Sequence, residues 1–351
     1  MKRLPRNPLR FDPVELYTAI SRDLDYKIEA ETDHKDFLEK VGASLKTSVQ
    51  NPNILHGKRV EALFAHVAGA LDRCKFIKQE DSGAMFSDGK NLQAPDYSLI
   101  LKDGRRFMVE VKNCHDSDPN YKFILKKDYM ERLENYADMH GASLKIAIYF
   151  SRMNRWVLLS KESLSQKGNK FYTTFIEAFP RSEMIELGDR MIGTIPNLSF
   201  ELISSTSKEA FVTDDDQASF TVGDVKIYCA NKEITDDLEM RIAFYLIRFG
   251  RWTTDLPTAI TEDKRLLSIR YEFYPECGWD EDQGFALVGE LSSMVSSAYN
   301  ELTVYENRVI ALDVKVDPEI FKVFIPDGYK GQRLPLWQLL IQPNQNCVHH
   351  P

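Results

Sequence analysis

Ala94-Pro95-Asp96-Tyr97-Ser98-Leu99-Ile100-Leu101-Lys102-Asp103-Gly104-Arg105-Arg106-Phe107-Met108-Val109-Glu110-Val111-Lys112 reads as a β-hairpin, two β-rich runs joined by a turn that carries a glycine. Its register follows from arithmetic, because directly opposed residues of an antiparallel pair share a face and a one-residue slip reverses the faces. A two-residue Asp103-Gly104 turn sets Lys102 opposite Arg105 and puts Asp96 and Glu110 on opposite faces. A three-residue Lys102-Asp103-Gly104 loop, with Gly104 left-handed and a bulge, sets Leu101 opposite Arg105 and Asp96 opposite Glu110. Asp96, Glu110 and Lys112 then share one face. The other face is Tyr97, Leu99, Leu101, Phe107, Val109 and Val111, uniformly apolar and ready to pack on a helix. The pattern favours this second register.

Upstream, Val60, Leu63, Phe64, Val67 and Leu71 recur at helical spacing, which predicts an amphipathic helix over 58–73 with Glu61 at the edge of its stripe. Residues 11–50 read as a polar helical lead-in ended by a breaker, Asn51-Pro52-Asn53, and residues 74–79 as a first strand. Downstream, Asp128 and Glu131 look like a capping box for a helix running to His140 and closed by Gly141, and 142–150 and 156–159 follow as strands. The expected class is α/β: a lead-in over 1–55, a helix, three strands, helix and strand within 56–180, and an acidic α+β domain over 181–351. For that last part strands are expected over 198–203, 219–229, 267–273 and 308–315. Helices are expected from Thr235-Asp236-Asp237 to about Phe249 and over 284–302, with Ile242, Phe244, Tyr245 and Ile247 building a core. Asp214-Asp215-Asp216 reads as a solvated turn.

Two carboxylates on paired strands repel each other and are costly to bury unless a cation lies between them; hard oxygen ligands point to Mg²⁺ or Mn²⁺. A lysine two residues beyond Glu110 projects to the same side, where an ammonium can orient a water and stabilise charge on a phosphate. Such a set suits phosphodiester hydrolysis. These residues resemble the PD-(D/E)xK phosphodiesterase superfamily, which includes restriction endonucleases and archaeal Holliday-junction resolvases. Pro95-Asp96 matches the PD, and Glu110-Val111-Lys112 matches the ExK at the family's hairpin spacing. The resemblance covers about residues 56–160. It implies a restriction-endonuclease-like αβββαβ core and a metal-dependent nuclease that hydrolyses DNA, endonuclease favoured, in phage defence, restriction or repair. By the same resemblance Asp96, Glu110 and the Val111 carbonyl would hold Mg²⁺ or Mn²⁺, Lys112 would position the attacking water, and Glu61 would hold a second metal or a metal-bound water. Some relatives carry a glutamine and a tyrosine four apart on the following helix; here Tyr136 is preceded by Arg132. The rival reading is a catalytically silent nuclease-fold module that binds nucleic acid or assembles a defence or repair complex.

Two other acid-x-lysine strings, Asp224-Val225-Lys226 and Asp313-Val314-Lys315, have no Pro-Asp at hairpin distance and are expected to be chemically idle. Gly83 to Lys90 lacks the phosphate-loop signature. His34, His56, His66, His115 and His140 lack metal-pair spacing and read as satisfied or exposed, while Trp156, Trp252 and Trp337 read as core. Lys122, Lys126 and Lys127 are candidate phosphate contacts at what reads as a helix start. With 43% hydrophobic and 28% charged residues the composition is that of a folded globular protein. No apolar run reaches the length of a membrane span, so a cytoplasmic protein without a membrane partner is expected, its five scattered cysteines free. Charge divides the chain: residues 1–180 hold 29 Lys+Arg against 25 Asp+Glu, a balance of +4, and residues 181–351 hold 16 against 28, a balance of −12. A basic half suits DNA, with RNA left open because nothing reads a 2′-hydroxyl, so direct nucleic-acid contacts are expected in 1–180. An acidic half suits protein contacts, a homodimer or a partner protein.

Overall fold

The computed structural model describes residues 1–3, 13–80, 85–88, 91–213, 217–263, 265–279, 281–326 and 328–344. Asp214-Asp215-Asp216, Gly83, Gly89, Lys90 and Cys347 lie outside them. The fold is mixed α/β, with several sheets. Helices α1 (Pro13–Leu24) and α2 (Glu31–Val49) make the lead-in. Helix α3 (Pro52–Ala70) starts earlier than its apolar spacing predicts. The break falls where expected, between α2 and α3, and Asn51 also caps the second helix: its side chain accepts from the Asn53 and Ile54 N–H groups at 3.0 and 3.4 Å, and Pro52 occupies the first turn, where a missing N–H does no harm.

Strands β1 (Cys74–Gln79), β2 (Tyr97–Leu101), β3 (Arg106–Cys114) and β4 (Phe123–Lys126) precede α4 (Lys127–Met139). After it come β5 (Ser143–Phe150), β6 (Arg155–Leu159), β7 (Ser165–Lys167), β8 (Lys170–Thr173) and the short α5 (Phe175–Ala178). The main N-terminal sheet has the order β1-β2-β3-β5-β6, antiparallel except for the parallel β3–β5 pair. Its hairpin takes the three-residue loop. Tyr97 pairs with Val109 and Leu99 with Phe107, the Leu101 N–H donates to the Arg105 carbonyl at 2.9 Å, and the Gly104 N–H donates to the Leu101 carbonyl at 3.0 Å. Gly104 has φ +93°, a region L side chains avoid, with nothing near its absent Cβ. Gly104→Ala is therefore expected to cost about 1–2 kcal/mol of backbone strain, read as a lower urea midpoint at unchanged slope. An unchanged midpoint would show that the loop tolerates a side chain.

The alternation of the hairpin then sorts the sheet's two faces. Val60, Leu63, Phe64 and Val67 of α3 pack on Tyr97, Leu99, Val109 and Val111, all buried. On the opposite face Met130 and Leu133 of α4 pack on Ile146, Ile148 and Phe150 of β5. Glu110 and Lys112 pair with Ile146 and Ile148 in the parallel register, so their side chains emerge on the α4 side. Helix α4 does not begin with a capping box: Lys126 is its N-cap without a side-chain bond, and Asp128, inside the first turn, pairs with Arg132 at 3.1 Å. Its end is the glycine stop expected. Gly141 has φ +57°, and the Ala142 and Gly141 N–H groups reach the Ala137 and Asp138 carbonyls, both at 3.0 Å.

In the C-terminal part, Leu198–Ser204 lies between Val222–Cys229 and Arg265–Pro275 in a larger sheet. Helix α6 (Asp237–Phe249) is capped by Asp236, which accepts from Leu238 and Glu239 at 3.0 and 2.9 Å. Ile242 and Ile247 are core residues and Tyr245 is partly buried there, but Phe244 is exposed on the far side of the helix. The helix expected over 284–302 is split. Ala286–Glu290 is a strand paired with Met191–Thr194, and only α7 (Leu291–Thr303) is helical. Of the strand expected over 308–315 only Arg308–Val309 pairs, because Asp313 is drawn to His66 of α3 at 3.1 Å and to Arg3. Helix α7 serves two cores, with Met294 lying beside Ile192 and Ile242 in the C-terminal one. Val295, Ala298 and Tyr299, with Phe321, belong to the same buried cluster as Phe64 and Trp156.

Candidate active site

The Tyr97–Val109 pair closes the hairpin ladder, Glu110 beyond it lies on the face where α4 sits, and continuing the register by one residue sets Asp96 opposite Glu110. Asp96, just ahead of β2, accepts the Val111 N–H at 2.8 Å, which ties it across to β3. Glu110 is 3% exposed. One of its oxygens accepts from both the Lys112 ammonium and the Tyr129 hydroxyl, and Lys112 also donates to Tyr129 at 3.2 Å. Burial pushes the Glu110 carboxyl above its ordinary range and the Asp96 charge adds to that, while Lys112 pulls against it. Burial alone would lower Lys112, yet Glu110 and Tyr129 outweigh it and hold the ammonium above its usual value. The Tyr129 hydroxyl is pushed up to about 12 by burial and by the Glu110 charge. At neutral pH Lys112 is therefore an ammonium and Tyr129 a phenol.

Glu61 is half-buried on α3 and ion-paired with Lys58 at 2.6 Å. Burial raises its carboxyl, with Lys58 opposing; Asp96 raises it further and Lys112 lowers it, so both lie within electrostatic reach. Asp96 and Lys112 thus act on both Glu110 and Glu61, although Glu61 is turned to Lys58. Among the described residues no group of three or more His, Cys, Asp and Glu side chains stands close enough to share a metal ion. The Asp96 and Glu110 carboxylates are close enough for the Asp96 charge to raise Glu110. Two carboxylates with water completing the shell are a normal Mg²⁺ donor set, and the buried, pushed-up Glu110 carboxyl is the kind of group a cation relieves.

Tyr129 is the residue sequence reasoning missed. It sits in the first turn of α4, three residues before Arg132 and seven before Tyr136. Those offsets put all three on one helical face, whose signal was available. Tyr136, further along the same helix, donates to Glu80 at 3.2 Å. Lys122 lies over the Tyr172 ring at 5.6 Å, Lys127 is 3.7 Å from Glu131, and Lys126 is exposed on β4, so these lysines end a strand as well as start a helix. The remaining candidates are accounted for locally. Asp313 is held by His66 and Arg3, and Lys226 pairs with Glu233 at 3.1 Å. His34 and His140 bond to the Ile28 and Tyr136 carbonyls, and His115 to Ser151. Trp156 is buried, its ring N–H on Ser296 at 3.0 Å.

No protein-family model matches the chain, and no curated protein matches it. Among solved structures it is similar to Hjc, a Holliday junction resolvase from the archaeal hyperthermophile Archaeoglobus fulgidus. The two share 17% identity over 29% of this chain and 79% of that chain, with a TM-score of 0.24. Among the described residues no helix is long and apolar enough to cross a membrane.

Proposed function

We propose that the chain is a divalent-metal-dependent nuclease that hydrolyses phosphodiester bonds of DNA. The observation that supports this reading is the hairpin register, which puts Glu110 and Lys112 on one face and, continued one residue past the Tyr97–Val109 pair, would set Asp96 against Glu110. Asp96, Glu110 and the Val111 carbonyl hold Mg²⁺ or Mn²⁺, and Glu61 supplies a further carboxylate once it leaves Lys58. The bound cation would provide Lewis-acid stabilisation of the charge that gathers on the phosphate oxygens. Lys112 positions the attacking water and adds a positive charge beside the reacting phosphate. Tyr129 fixes the Glu110 carboxylate by donating to one of its oxygens, so that the carboxylate would be held in place for a cation.

Metal binding is tested apart from turnover by thermal unfolding. At about 100 times its dissociation constant, Mn²⁺ should stabilise the wild type by about 2.7 kcal/mol, seen as a raised Tm, and should not shift an Asp96→Ala/Glu110→Ala variant. Turnover is tested with plasmid, linear and single-stranded DNA and with RNA, in Mg²⁺, Mn²⁺ or EDTA. Cleavage that persists in EDTA contradicts the reading. A Tm shift with DNA binding and no cleavage would favour a silent nucleic-acid-binding module, in which Lys112 stays locked on Glu110.

A further inference from the structure

The small sheet formed by β4, β8 and β7, in that order, presents a row of lysines to which the site above assigns no work. Lys126 is opposite Lys170, and Lys170 is opposite Lys167. Opposed residues share a face, so three ammonium groups stand in one line across strands spaced about 4.8 Å apart. All three are exposed, and among the described residues none is in an ion pair; the nearby pairs are Lys127 with Glu131 and Lys161 with Glu134. The neighbouring row, Leu125 opposite Phe171, points the other way into the core beneath α4. The row beyond it, Ile124 opposite Tyr172 opposite Ser165, faces outward again, and Lys122 lies over the Tyr172 ring at 5.6 Å. None of the three strands contains an acidic residue.

Like charges directly opposed across strands destabilise a sheet. Lysines on the edge strands β4 and β7 have an ordinary explanation, since a charged edge resists unwanted pairing. Lys170 is on the central strand, where that explanation fails, and its register places it between the other two. A polyanion removes the repulsion. We propose that this face is a DNA-backbone site: the Lys126–Lys170–Lys167 row, extended by Lys122 and Tyr172, holds successive phosphates of a strand that leads to the Asp96, Glu110 and Lys112 cluster. The connection is short, because Lys126 caps α4 and Tyr129, three residues on, donates to Glu110. A phosphate strand fits better than an acidic protein surface, because the charges form a line and the adjacent Tyr172 offers a ring face to a base. The choice of DNA rests on the nuclease reading.

The test uses the full-length chain, a labelled duplex and anisotropy titrations in EDTA, where cleavage is off, over a range of salt. The proteins are wild type, Lys126→Ala/Lys167→Ala/Lys170→Ala and the matching triple arginine variant, with folding checked by circular dichroism. Three lost phosphate contacts should flatten the slope of log affinity against log salt by about 2.7. Between about 50 and 200 mM salt the wild type should then lose about 40-fold more affinity than the alanine variant. The arginine variant should keep the wild-type slope. An unchanged slope in the alanine variant overturns the lysine row and leaves the nuclease reading standing. So does an unchanged slope with an altered mass by light scattering, which would assign the row to a second copy of the chain. A wild type that binds no DNA at low salt overturns both. A wild type that shows the expected slope but never cleaves with Mg²⁺ or Mn²⁺ overturns only the nuclease reading.

Discussion

Asp96→Ala and Glu110→Ala should each lower the rate of DNA cleavage by about 10³-fold or more, since either change removes one of the two hairpin carboxylates proposed to hold the charge-stabilising cation. Lys112→Ala should lose about 10² to 10³-fold, the range for deleting one preorganised group aimed at developing charge. The variants should fold: Asp96 and Lys112 are partly exposed, and removing Glu110 takes away a carboxylate that burial disfavours. Single-turnover cleavage with saturating Mg²⁺ or Mn²⁺ is the measurement. Asp224→Ala should cleave at the wild-type rate, because Asp224 lies on a strand of the other sheet. A fully active Lys112→Ala, or equal losses in Asp96→Ala and Asp224→Ala, would remove the assigned mechanism.

What the sequence disclosed about this site was what two-residue periodicity can carry. Tyr97, Leu99, Leu101, Phe107, Val109 and Val111 make a one-sided apolar pattern in only one register, and that register fixes where Asp96, Glu110 and Lys112 point. Contacts without local periodicity stayed hidden. Tyr129 reaches Glu110 only because β4 feeds straight into α4, and four residues with a lysine at one end read as easily as a helix start. Ala286, Leu287, Val288, Leu291, Met294 and Val295 follow one another closely across the strand Ala286–Glu290 and the start of helix α7, and so short an apolar stretch does not distinguish strand from helix by period. The break between them comes from backbone geometry, with Gly289 at φ +134° and close to the Met294 side chain. In the same way Asp313 looked like part of a strand, and a long-range bond to His66 decides its place instead.

A fragment of residues 1–180 should fail to fold cooperatively, although the charge balance makes it look like a separable basic unit. The core over the α3 face of the sheet includes Val295, Ala298, Tyr299 and Phe321 from far along the chain. Tyr299 is fully buried. Losing one such ring costs roughly 3–5 kcal/mol, against a total stability of about 5–15 kcal/mol for a typical domain. Polar contacts add to the loss. Cutting after 180 orphans Arg59, which donates to Asn300 at 2.5 Å, and Trp156, whose ring N–H is held by Ser296; it also strands Arg155 without Glu290. Buried donors and charges left in this way cost more than the bonds contributed, because they are not returned to water. The expected result is a fragment without a sharp thermal transition or near-ultraviolet circular dichroism, and without cleavage, while Tyr299→Ala in the full chain folds with a much lower Tm. A cooperative transition in the 1–180 fragment would show that α7 is dispensable. If instead the fragment is unfolded, α7 is part of the body that carries Asp96 and Glu110, and the acidic half acts on the site through the packing of Tyr299 and Phe321 under α3. The proposed DNA binding then has to be measured in the intact chain, since only there is the α3 layer over the hairpin backed by Val295, Ala298 and Tyr299 of α7.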